Sequence, residues 1–142
     1  MRAGFLMLLL LVPPVTSATD EVQFDYMMNC QGCHLPGGEG FPEHQVPRVA
    51  GHMGKFLRVE GGREFLVQVP GSAQSDLDDA SLASVLNWML QAFSAAELPE
   101  DWRPFSAEEV SELRRTPLIE VAPVREQLIN LIQAHENSGA RQ

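Results

Sequence analysis

The stretch Cys30-Gln31-Gly32-Cys33-His34 decides the fold of this 142-residue chain, because two thiols and an imidazole stand in it at a fixed spacing. Thiols three positions apart can each add to one vinyl group of the same porphyrin, and the histidine that follows is then held against the iron. Cys30 and Cys33 are also the only cysteines of the chain. The sequence therefore predicts one covalent haem c, attached through two thioethers, with His34 as an iron ligand.

Three other interpretations of the two cysteines carry less support. A thioredoxin-like dithiol needs a strand–helix–strand context, and none is readable around Cys30. A structural zinc site needs four ligands in paired clusters, whereas the remaining histidines, His44, His52 and His135, are scattered. A disulfide between Cys30 and Cys33 would close a loop of a few residues and gain little from the lost chain entropy.

Residues 1–18 have the pattern of an export signal. A basic start at Arg2 is followed by the apolar stretch Phe5–Val12 and by a small-residue end at Ala18. The apolar stretch has eight residues, whereas a helix that spans a bilayer needs ~20, so a cleaved signal peptide is favoured over a membrane anchor. The sequence predicts a mature protein that begins near Thr19, is secreted to the periplasm and does not span the membrane. Export agrees with haem attachment, which takes place on the far side of the bacterial inner membrane.

The charge of the chain excludes several classes of partner. Residues 19–142 hold 9 basic and 19 acidic residues, a formal charge of −10, because the leader contributes only Arg2. This balance argues against nucleic acid and against anionic membrane surfaces. It suits docking on a basic patch of a periplasmic redox partner, although acidity that serves only solubility remains open. The length suits one small domain with a single core.

The mature sequence predicts an all-α fold. Turn residues make 35–42 a loop, and the alternation of Phe65, Val67 and Val69 indicates a strand or an extended loop over 63–69. Apolar periodicity and capping signals predict helices over 20–31, 52–59, 78–95, 106–115 and 124–136. We therefore expect a haem-binding domain over residues 19–102 and a C-terminal helical extension over 103–142.

Residues 20–95 resemble the class I (monohaem) cytochromes c. Tyr26 stands four residues before Cys30, Pro47–Gly51 is similar to the P-x-L-x-G segment of that family, and Leu82–Leu90 is similar to its C-terminal helix. The resemblance implies a small helical domain wrapped around the haem. It also implies that the Pro47 carbonyl accepts a hydrogen bond from the proximal imidazole, and that Tyr26 and Trp88 pack where two helices cross near the haem.

The chain departs from this family at the sixth iron ligand. The family supplies a methionine from the loop before its last helix, but the corresponding segment here, residues 63–77, contains none. Met53 is the preferred substitute, because it lies between the flexible Gly51 and Gly54. The alternatives are His52, the core-patterned Met89, the poorly placed Met27 and Met28, or an iron without a second protein ligand.

Three functions follow from these alternatives. The favoured one is electron transfer between a periplasmic dehydrogenase and a downstream acceptor, which needs no catalytic residue. The second is a five-coordinate haem that binds small gases or turns over peroxide, with Arg63, Gln68 or Gln74 as the polar group above the iron. The third is a haem subunit docked permanently to a redox enzyme. Its docking surface would be a helical face that otherwise belongs to the core: Val124, Leu128, Leu131 and Ile132.

Overall fold

The computed structural model of the chain describes residues 18–139, so the predicted signal peptide lies outside the described residues except for Ala18. Within this range the regular elements are helices, joined by 3₁₀ turns at Pro42–His44 and Ala95–Glu97, and the all-α prediction is confirmed. The helices are α1 (Ala18–Asn29), α2 (Gln31–His34), α3 (Met53–Phe56), α4 (Gly62–Gln68), α5 (Pro70–Ala73), α6 (Asp79–Ser94), α7 (Ala107–Leu113) and α8 (Val121–Gly139). None of these described helices is long and apolar enough to cross a membrane.

Helix α6 is the centre of the core. It begins where the Asp78 carboxylate accepts a hydrogen bond from the Ser81 N–H at 2.7 Å, a standard N-cap. Its apolar residues recur every three or four positions, so that one stripe faces inward. The buried members of this stripe are Leu82, Val85, Leu86, Met89 and Leu90. The predicted helix over 78–95 is confirmed to within one residue at each end.

The segment predicted as a strand or extended loop is helix α4, and the prediction was wrong. Phe65, Leu66 and Val67 are all buried, so the alternation that suggested a strand does not reflect a half-exposed sheet. Gly61, at a φ of 80°, reverses the chain just before the helix, a conformation that glycine adopts without steric cost. Phe65 then stacks on Phe56 of α3, with ring centroids 5.2 Å apart.

The C-terminal extension folds back on the rest of the molecule. Helix α7 begins at the predicted cap, where Ser106 Oγ accepts a hydrogen bond from the Glu109 N–H. Helix α8 is longer than the predicted 124–136 and keeps Pro123 in its first turn. Leu128 and Ile132 are buried, which confirms that this face belongs to the core, whereas Leu131 is 43% exposed.

Arg63 joins helix α4 to the extension. Its guanidinium forms a two-pronged ion pair with Glu109, at 2.5 and 2.7 Å, and also donates to the carbonyls of Arg103 and Pro104. It lies 4.0 Å from the centre of the Phe105 ring. Such a planar, multiply bonded arginine is more geometrically specific than a lysine ion pair.

Arg114 joins the end of α7 to the short link between α5 and α6. Its guanidinium donates to the carbonyls of Ala73, Ser75 and Leu77 and to the carboxylate of Asp79. These carbonyls lie at or just outside helix ends and need partners. The extension therefore supplies the hydrogen bonds that order this link.

Candidate functional site

The two cysteines lie at the junction of α1 and α2. The N–H groups of Cys33 and His34 both donate to the carbonyl of Cys30, at 3.2 and 2.9 Å, so the motif is one helical turn. Residues three apart on such a turn share a face, which places Cys30 and Cys33 side by side. Both thiols are free, with Cys30 half-buried and Cys33 exposed. The turn thus presents two thiols together, followed directly by an imidazole.

The protonation of these thiols bears on the alternative interpretations. Burial raises the pKa of Cys30 to about 11, with smaller contributions from Cys33 and Asp25. Redox-active dithiols need a lowered thiol pKa, because the thiolate is the reacting form, so a thioredoxin-like role is disfavoured. A zinc site also lacks support, since no three His, Cys, Asp or Glu side chains in residues 18–139 group so as to hold a metal ion.

The His34 imidazole is oriented toward Pro47. Its Nδ1 is buried and has no partner among the described residues at hydrogen-bond geometry. Burial lowers the pKa of His34, and the nearby carbonyl of Pro47 acts in the opposite direction. The lowered pKa favours the neutral form of the ring, which is the form that ligates metals.

The loop after His34 returns the chain to that residue. Gly40 N–H donates to the His34 carbonyl at 3.1 Å, and the Gly38 carbonyl accepts from Val49 and Ala50. The turn between these contacts is closed by an antiparallel bridge between Phe41 and Val46. Gly38 and Gly40 both have a positive φ. These contacts fix Pro47 beside His34, whereas the sequence alone shows the two glycines only as part of a turn-rich loop.

Tyr26 and Trp88 meet where α1 crosses α6. Their ring centroids are 5.1 Å apart, and the Tyr26 hydroxyl donates to the Leu35 carbonyl at 2.5 Å. Burial is the main cause that raises the pKa of Tyr26 to about 12, so the hydroxyl stays protonated as a donor. The ring of Phe93, which belongs to no motif of the sequence, has its centroid 5.3 Å from that of Tyr26 and 5.1 Å from that of Trp88. Its only sequence signal was its place in the apolar pattern of α6.

The candidates for the sixth iron ligand differ in environment. Met53 is 4% exposed and begins the short helix α3, where the next residue, Gly54, donates to Ser94 Oγ at 2.9 Å. His52 is exposed, and its Nδ1 lies 2.9 Å from the Ala50 carbonyl. Met89 is buried within α6. Met27 and Met28 are exposed on α1.

The polar residues considered for a catalytic role are mostly engaged already. Arg63 is bound by Glu109 and by two carbonyls of the extension. Gln68 Nε2 donates to Thr116 Oγ1 at 2.9 Å. Gln74 is exposed. Of the three polar residues, Arg63 and Gln68 are therefore already bound to other side chains, whereas Gln74 is not.

The donor set fits a covalently attached haem. Two free thiols on one helical turn suit two thioether bonds, and a half-buried imidazole with a lowered pKa suits iron. The buried Nδ1 atom has no hydrogen-bond partner among the described residues, and the Pro47 backbone acts on the pKa of the ring; a ring whose other nitrogen ligates a metal needs such a polar partner.

Comparison with known proteins gives a consistent result. No protein-family model matches the chain. Two curated proteins are similar to it, both named cytochrome c-552 and both from Thermus thermophilus, the second from a specified strain of that species. Each is 36% identical to the chain over 107 residues, which cover 63% of the chain and 81% and 72% of the respective relatives.

Proposed function

The chain belongs to the class I, monohaem c-type cytochromes, and on this basis we propose that it is a periplasmic electron carrier. It would be exported by its signal peptide and would carry electrons from a periplasmic dehydrogenase to a downstream acceptor. One observation carries the proposal: Cys30, Cys33 and His34 lie on one helical turn, and the Pro47 backbone lies close enough to His34 to affect its pKa. Bound haem supplies a centre that exchanges one electron at a time.

The chain's own residues have separate roles in this proposal. Cys30 and Cys33 hold the haem through thioethers, and His34 ligates its iron. The Pro47 carbonyl orients the His34 ring and strengthens it as a donor, as outer partners of metal ligands do. Tyr26 and Trp88 close the crossing of α1 and α6 beside the attachment site. A rigid frame of this kind keeps rearrangement small when the iron changes oxidation state.

We propose Met53 as the sixth ligand. Its support is its burial and its position just after the Pro47–Gly51 segment, on a helix of four residues. A thioether ligand raises the reduction potential of haem iron. It also occupies the position that small molecules would otherwise bind. Both effects suit an electron carrier.

The partner is proposed to be a redox protein with an apolar docking centre and a basic rim. Among the described residues, the outer face of α1 exposes Phe24, Met27 and Met28, at 55%, 47% and 64%. We call these three residues the α1 patch. The same helix carries Asp20, Glu21 and Asp25 and no basic residue. Its acidic border favours a basic partner and disfavours a second copy of this chain.

One observation supports a second function. The segment 63–77, from which the family supplies its methionine, forms α4 and α5, buries Phe65 and Val67, and contains no methionine or histidine. An iron without a second protein ligand would bind carbon monoxide or nitric oxide. Peroxide turnover has less support, because Arg63 and Gln68 are engaged elsewhere. Permanent docking through α8 also has less support, because Leu128 and Ile132 are buried within the chain.

The test is the optical spectrum of protein purified from the periplasm, oxidised and reduced. We expect a sharp reduced α-band, a weak near-infrared sulfur-to-iron band in the oxidised protein, and haem that stays with the protein in acidified organic solvent. Haem released into that solvent would refute the covalent attachment. A high-spin spectrum that shifts on addition of carbon monoxide would replace the electron carrier with the gas-binding function.

A further inference from the structure

Gly40 makes a backbone contact that no other residue type could make. Its φ is 73°, in the region that side chains rarely adopt. A Cβ placed on Gly40 would lie 2.5 Å from the carbonyl carbon of Pro47 and 2.6 Å from both the Pro47 oxygen and the Arg48 nitrogen. These atoms belong to the backbone, so they cannot turn aside as a side chain would. The absence of a side chain at Gly40 therefore sets how closely Pro47 approaches.

Gly40 also contacts His34, the residue that Pro47 lies beside. Its N–H donates to the His34 carbonyl at 3.1 Å. The next residue, Phe41, exchanges two backbone hydrogen bonds with Val46, at 2.9 and 3.1 Å, which fixes the register in which Pro47 returns. Gly40 thus touches the backbone of His34 and that of Pro47 at once, at the base of a closed turn.

We propose that Gly40 is a positioning residue for the iron ligand: by letting the Pro47 backbone approach, it allows the Pro47 carbonyl to accept a hydrogen bond from His34 Nδ1–H in the haem-bound protein and thereby sets the reduction potential. The inference rests on the proposed function, since it requires His34 to ligate haem iron. A carbonyl that accepts from Nδ1–H makes the imidazole a stronger donor. A stronger donor favours the oxidised iron and lowers the potential. Moving the carbonyl away has the reverse effect.

The test compares two alanine variants of the holoprotein in spectroelectrochemical titrations. Gly40→Ala adds a Cβ against Pro47. Gly61→Ala, at a φ of 80°, meets only a Leu128 methyl group at 3.8 Å and lies outside the haem site. Both variants carry left-handed strain and lose stability, but only Gly40→Ala should shift the potential upward.

A Gly40→Ala potential equal to that of the wild type would overturn the proposal, and so would an equal upward shift in Gly61→Ala. Exchange of the His34 Nδ1 proton, followed by ¹⁵N NMR of reduced wild-type protein, tests the proposal even if Gly40→Ala yields no holoprotein. We expect a proton protected from solvent, whereas free exchange would mean that no carbonyl is seated there. Failure of the proposed function would be visible beforehand, as wild-type protein without covalent haem.

Discussion

At the scale of single residues, Met53 and Met89 form a natural comparison. Both methionine side chains are buried, that of Met53 at the start of α3 and that of Met89 in the middle of α6. Leucine conserves their volume closely, so packing alone should change by less than about 1.5 kcal/mol at either position. Differences between the two leucine variants therefore report ligation rather than packing.

We expect Met53→Leu to abolish the near-infrared sulfur-to-iron band and to lower the reduction potential, because the iron loses a thioether ligand. Met89→Leu should keep the band. Near-infrared absorption of the oxidised proteins measures this directly. A band that survives in Met53→Leu would remove Met53 from the iron.

The sequence predicts which residues attach the haem better than it predicts which residues hold them in position. The spacing of Cys30, Cys33 and His34 is itself the chemical requirement, so the sequence alone predicts a covalent haem there. Gly40 and Phe93 act through contacts with segments distant along the chain, and a single sequence does not display such contacts. A glycine in a loop has the same sequence signal whether an added Cβ would collide with Pro47, as at Gly40, or would meet no atom within 4 Å, as at Gly51.

At the scale of elements, the helices that carry their own signals were predicted and α4 was not. Helix α6 has a cap at Asp78 and a regular apolar stripe, and α7 has a cap at Ser106. Helix α4 has seven residues and no side-chain cap, and three consecutive residues are buried from Phe65 onward. Its helical state depends on packing against Phe56 and on Arg63, which local periodicity does not encode.

The α1 patch is the surface of a single helix on which we expect the redox partner to dock. The double variant Phe24→Ser/Met28→Ser removes most of the α1 patch, and Ile119→Ser/Leu131→Ser removes two exposed apolar side chains elsewhere. We expect the α1 variant to reduce a lysine-rich cytochrome about tenfold more slowly, which corresponds to about 1.4 kcal/mol of lost association. The control variant should match the wild type.

Stopped-flow kinetics measures these rates, with hexacyanoferrate(III) as a small acceptor that needs no apolar docking surface. Unchanged rates with the lysine-rich cytochrome would show that α1 is not the docking face. A loss of rate with both acceptors would point instead to a damaged redox centre.

At the scale of the whole molecule, we propose that the extension over 103–142 belongs to the same cooperative unit as residues 19–102. Arg63 and Arg114 bind across the boundary, and Leu128 and Ile132 complete the core. Unfolding followed by haem absorbance and by far-ultraviolet circular dichroism should then show coincident transitions. Two separate transitions would divide the molecule near residue 102.

The ion pair between Arg63 and Glu109, which joins α4 to the extension, should make the free energy of unfolding depend on pH in the acidic range. Hydrogen bonding to Arg63 lowers the pKa of Glu109 below its usual value of 4.5. A lowered carboxyl pKa stabilises the fold above the unfolded pKa, and this contribution is lost as the pH falls through the folded value. We expect Glu109→Gln to have a smaller loss of unfolding free energy below pH 4.5 than the wild type.

Denaturant titrations at a series of acidic pH values measure this loss. Glu112→Gln is a matched control, because Glu112 pairs with Arg115 on the exposed side of the same helix. The control should follow the wild-type curve. If Glu109→Gln also follows it, the Arg63–Glu109 pair contributes nothing to acid stability.

The hydrogen bonds of Arg114 have a consequence for the order in which the chain matures. The carbonyls that it binds precede it by 37 to 41 residues. During synthesis the attachment motif and its returning loop emerge before Arg114, so the carbonyls of the link before α6 lack these hydrogen bonds until the last quarter of the chain follows. The thiols at positions 30 and 33 therefore emerge on a chain that has yet to close, and we expect that prosthetic-group addition can precede the final folding step.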